Sequence, residues 1–122
     1  MSTRDRAIGL KKFIRYVNTR IKFIEVGMLN VEDNQYKYYK ALQKDILEFG
    51  NTHKIFFGLT FGKIDTKKAM AFLGLGERSL NRFMAKQREQ LVDLIYEKEI
   101  ELFAKYPFSD KSYFSFNLGG KT

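Results

Sequence analysis

Apolar residues recurring at every third or fourth position constrain this chain more than any other feature. Leu10, Phe13, Val17, Ile21, Ile24 and Met28 form one stripe of a 3.6-residue period, while Lys11, Lys12, Arg15 and Arg20 fall mostly off it. The pattern predicts an amphipathic helix, ended by Gly27 and Asn30. A second helix is predicted from Asp33 or Asn34, both good N-caps, to Phe49, with Gly50 as its stop. Its stripe is Tyr39, Leu42, Ile46 and Phe49. Tyr39 is expected inside, with Tyr36 and Tyr38 covering the rim. Joined by a short loop, the two helices read as an antiparallel hairpin.

Beyond the break at Asn51-Thr52, periodicity does not separate helix from strand for Ile55, Phe56, Phe57, Leu59 and Phe61. No second strand-like segment lies nearby to pair with them, so a helix is expected. Asp65 caps a short helix from Thr66 to Leu73, which Gly74 ends. A longer helix starts at Glu77 and carries Leu80, Phe83, Met84, Leu91, Leu94, Ile95 and Leu102 toward Tyr106, where Pro107, the only proline, stops it. The expected fold is therefore all-α: an N-terminal helical hairpin, then a helix-turn-helix at about 65–90 with an extended last helix. Residues 1–107 form one domain, as 122 residues allow, and 108–122, rich in Ser and Gly, are expected to be a flexible tail.

Charge limits the partners. Lys and Arg number 22 against 14 Asp and Glu, a net charge of +8, which favours a polyanion. Seven basic and one acidic residue lie in 1–24, and seven basic and three acidic in 62–90. The rest of the chain is close to neutral. The absence of Cys excludes thiol nucleophiles, disulfides and Cys-ligated metals. One histidine, His53, makes no metal site and reads as a surface or capping residue. Glu97, Glu99 and Glu101 read as a solvated face, and neither a phosphate-binding loop nor a nucleophile elbow is present. The chain is expected to be no enzyme and to need no cofactor. Lys11, Lys12, Arg15 and Arg20 also break any apolar run of a signal peptide, and nothing reaches the length of a membrane span. The expectation is a cytoplasmic protein with no membrane partner.

One constellation carries a mechanism. A helix-turn-helix needs a left-handed glycine after its first helix, an apolar residue next, and apolar anchors six and nine residues beyond that glycine. Gly74, Leu75, Leu80 and Phe83 meet these needs, and Leu73 and Ala69 supply the contacts before the turn. Met70 stands where a small residue is usual. On the outward side of the second helix, Arg78, Ser79, Asn81 and Arg82 are the types that read base edges: Arg pairs with guanine and Asn with adenine. Lys63, Thr66, Lys67, Lys68, Lys86 and Arg88 flank them as candidates for backbone phosphates.

The stretch from Asp65 to Leu94 resembles the helix-turn-helix of bacterial sigma-factor region four and of small phage-encoded transcription regulators, the ArpU and RinA groups. Leu73, Gly74, Glu77, Arg78, Ser79, Arg82 and Lys86 carry the resemblance. It implies sequence-specific binding of double-stranded DNA by a phage or mobile-element transcription regulator in a bacterial cytoplasm, as monomer or homodimer, with RNA polymerase or another protein as a further partner. Gly58, Gly62 and the aromatic C-terminal segment depart from that pattern. Two other readings stay open: the small DNA-recognition subunit of a phage packaging machine, and a module that binds an acidic protein surface through the basic first helix.

Overall fold

The computed structural model describes residues 3–109, with side chains from Gly9 onward. It is all-α, and among the described residues there are five helices and no strand: α1 (Thr3–Glu25), α2 (Asp33–Thr52), α3 (Lys54–Thr60), α4 (Thr66–Leu73) and α5 (Glu77–Lys105). None is long and apolar enough to cross a membrane.

α2 lies at the centre, packed on α1 and on α5. Cross-links between side chains set its direction relative to each. Gln43 Nε2 donates to Asn18 Oδ1 at 2.8 Å and the Tyr36 hydroxyl donates to Glu25 at 2.6 Å, so α1 and α2 run antiparallel. At the other side Asn34 Nδ2 donates to the Pro107 carbonyl at 2.8 Å, and the Ser109 amide donates to Glu32 at 3.1 Å. The end of α5 is thereby held against the start of α2. Three stripes make most of the core, Leu10, Phe13, Val17 and Ile21 from α1, Tyr39, Leu42 and Ile46 from α2, and Leu91, Ile95 and Leu102 from α5, and Phe56 of α3 joins them. Burying each such side chain contributes roughly 1.5–3 kcal/mol.

Several expectations are corrected by the packing. α1 ends at Glu25, so Met28 falls off its stripe and lies 74 % exposed. α2 continues through Gly50 to Thr52. Gly50 is buried there because the Phe57 ring lies where its Cβ would stand, so this glycine serves a close approach and not a stop. Tyr38 belongs to no rim; it is fully buried, edge-on to Tyr39 and 5.2 Å between centroids from Phe108. Phe108 itself, expected to open the loose tail, is core, with Phe103 edge-on at 5.1 Å. The rest of the expected tail, 110–122, lies outside the described residues.

Glu99 is the sharpest departure. Ile95, Glu99 and Leu102 follow one another at helical spacing, so Glu99 sits on the core stripe of α5 at 4 % exposure, while Glu97 and Glu101 stay in solvent. Burial pushes its carboxyl up to about 8, against the opposing pull of the Tyr38 hydroxyl. Its Oε2 has no hydrogen-bond partner among the described residues. Nearby, the Arg20 guanidinium lies over the rings of Tyr16 and Tyr39 at 5.9 and 5.7 Å.

His53 links α2 to α3. Its ring stacks on Phe49 at 3.9 Å, and its Nδ1 lies 2.9 Å from the Phe49 carbonyl oxygen and from Thr52 Oγ1. It closes one helix and opens the next.

Candidate nucleic-acid interface

α4, a three-residue turn and α5 form the segment in which the sequence places the reading unit. Asp65 starts it: its backbone is extended, and its carboxylate accepts the Lys67 amide at 3.0 Å, an N-cap on α4. Gly74 ends α4 in the left-handed region, φ 68° and ψ 33°. The amides of Gly74 and Leu75 both donate to the Met70 carbonyl, the latter at 3.0 Å, which uses an acceptor that the helix end leaves open. Leu80, expected as the first anchor, is buried, as is Ala69. Phe83, the second anchor, is only half-buried, and so are Leu73, Leu75 and Met70. Phe72 points away from the core at 80 % exposure.

Of the residues expected to read bases, Arg78, Asn81 and Arg82 are exposed in the first two turns of α5, and Ser79 is half-buried. Lys63, Thr66, Lys67, Lys68 and Lys86 are exposed; Arg88 is half-buried. Arg88 has turned toward α1. It lines a cleft with Lys11, Leu10, Phe56, Leu59 and Met84, so the N-terminal basic block adjoins α5 there. Lys63 is also drawn away from α5: it shares a groove with Arg15 of α1 and Lys54 of α3. The two basic blocks of the sequence thus meet at two places. No local signal announces these meetings, because Lys11 and Arg15 are remote in sequence from Arg88 and Lys63.

No group of three His, Asp or Glu side chains is placed to hold a metal ion among the described residues. Carboxylates near the candidate face are few, with Glu77 and Glu89 exposed on α5 itself. Exposed cations on a helix that begins free in solvent can meet phosphate and base edges without losing a buried partner. Comparison with protein-family models, with curated proteins and with solved structures finds no match to this chain.

Proposed function

We propose that this protein binds double-stranded DNA sequence-specifically, with α4 and the turn set across the backbone and the start of α5 in the major groove. Its role would be regulation of transcription in a phage or mobile element, within a bacterial cytoplasm, without catalysis. The observation that carries the reading is the left-handed Gly74 turn between capped α4 and α5, which leaves Arg78, Asn81 and Arg82 together in solvent. Arg78 and Arg82 then pair with guanine edges and Asn81 with an adenine edge. Lys67, Lys68 and Lys86 hold phosphates and fix register. The adjoining Lys11 lengthens the same polyanion track.

The test compares Arg82→Ala and Lys67→Ala on a selected duplex and on random duplexes. Loss of Arg82 costs about 1–3 kcal/mol on the selected site and relaxes its sequence preference. Loss of Lys67 weakens all duplexes alike. Equal binding by wild type and both variants sinks the reading.

A further inference from the structure

The outer face of α5 changes sign along its length. Arg78, Arg82 and Lys86 stand toward its start, and Glu89, Asp93, Glu97 and Glu101 follow toward its end. Tyr96 and Ile100 stand among those acids, and Ile100 is 70 % exposed. Asp93, Tyr96, Glu97 and Ile100 follow the i, i+3, i+4, i+7 spacing, so they form one side of two helical turns.

A complementary surface exists elsewhere on the molecule. Ile14, Ile46, Leu47, Phe57, Phe61 and Ile64 line an open groove of about 620 Å³ between α1, α2 and α3. Arg15, Lys54 and Lys63 rim it, and no carboxylate lines it. None of these three cations makes an ion pair among the described residues. The α2 wall, Gln43 to Gly50, has the same two-turn spacing as the acidic face of α5, the length over which one helix presents such an anchor set to a groove. The groove opens on the α1 side of α2, where Gln43 bonds Asn18. α5 packs on the other side, where Lys98 meets the charge of Asp45. A chain therefore cannot seat its own α5 in its own groove.

We propose that this protein associates head to tail, the Asp93–Glu101 face of α5 in one copy occupying the cation-rimmed groove of the next. A second copy is the occupant because this chain itself carries the matching charge, spacing and exposed apolar residues. Tyr96 and Ile100 go to the apolar floor, and Asp93 and Glu97 meet the cations of the rim, Arg15, Lys54 and Lys63, while Glu101 stays paired with Lys98 at 3.4 Å on its own helix. The basic half of α5 stays outside the contact, since Arg82 and Ile100 are about 27 Å apart at 1.5 Å per residue. Because the two surfaces differ, the contact repeats into a ring or an open chain and does not stop at a symmetric dimer.

Light scattering and sedimentation from about 10 µM to about 1 mM, a range that populates even weak complexes, test this. Wild type exceeds the 14.4 kDa monomer mass as concentration rises, less so at high salt. A groove variant, Arg15→Glu with Lys54→Glu, and a face variant, Ile100→Asp, each weaken association at least about tenfold, with unchanged circular dichroism. An equimolar mixture of the two variants yields a heterodimer and nothing larger, because one intact groove and one intact face remain. Wild type at monomer mass throughout overturns the proposal. So does association that both variants retain, or a mixture with no heterodimer.

Discussion

Glu99 shows how far one residue can depart from the reading of its neighbours. It lies among Glu97, Lys98 and Glu101, yet its place on the stripe of Ile95 and Leu102 carries it inside, against Tyr38. Its carboxyl titrates near 8 when folded, above the ordinary 4.5. The folded state therefore holds a proton that the unfolded chain releases, and stability falls as pH rises between these two values. Below that window the penalty is absent; above it the penalty is complete, on the order of a few kcal/mol. In Glu99→Gln this slope disappears. Asp45 is also pushed up by burial, but it is common to both proteins, so the difference isolates Glu99. Thermal unfolding from pH 5 to pH 8.5 is the measurement: the wild-type midpoint drops across the range, and the variant overtakes it toward the alkaline end. Parallel profiles would show that Glu99 is ionised in the fold.

At the level of elements, the turn between α4 and α5 rests on backbone conformation. Nothing lies within 4 Å of a Cβ added at Gly74, so a side chain there meets no neighbour, only the left-handed φ. Gly74→Ala is expected to cost about 1–2 kcal/mol in urea unfolding, and Gly74→Asn less, because Asn tolerates that region. Equal stability of all three would remove the turn from its place in the argument for DNA reading. Gly58 works differently. A Cβ there runs into the Ile64 side chain, so this glycine lets α3 lie close to the loop that leads to α4. Gly58→Ala costs about 1–3 kcal/mol by overpacking, and adding Ile64→Val recovers part of it. If the two changes proved additive in a double-mutant cycle, the close approach would not be the cause.

For the whole molecule the question is whether its two basic blocks act together. The cleft that joins Lys11 to Arg88 brings α1 beside α5, so under the proposed function DNA lying along α5 would be within reach of the first helix. Each phosphate neutralised contributes roughly −0.9 to the slope of log K against log salt. Lys11→Glu with Lys12→Glu is expected to reduce that slope by about one unit or more, with the fold intact by circular dichroism. Arg15 is left unchanged in this test, because it belongs to the groove rim. An unchanged slope would place α1 outside the DNA track and give the first helix to a protein partner. The mass of the free protein bears on the process served: head-to-tail association that closes into a ring of many copies favours a packaging role, and association that stays weak and open leaves transcription the better reading.

Local pattern determined the class of this fold. Helical periodicity, the Asp65 cap, the Gly74 stop and Pro107 depend on residues within a turn or two of each other, and α4 and α5 lie where those signals put them, whereas α3 was expected only for want of a strand to pair with. The candidate reading residues Arg78, Asn81 and Arg82 were legible for the same reason: their exposure follows from the burial of Leu80 on the same helix. Gly50, Tyr38 and Phe108 were not legible, because each depends on what another part of the chain brings to it: Phe57 over Gly50, and Phe108 against Tyr38. Glu99 stood in plain view on the stripe of Ile95 and Leu102, but a carboxylate among exposed neighbours reads as solvated until Tyr38 is seen beside it. Tertiary structure alone decided the meeting of Lys11 with Arg88 and of Arg15 with Lys54 and Lys63. A stripe says which side of a helix is buried; the rotation of one helix against the next, fixed by how large side chains interlock, decides which charges become neighbours.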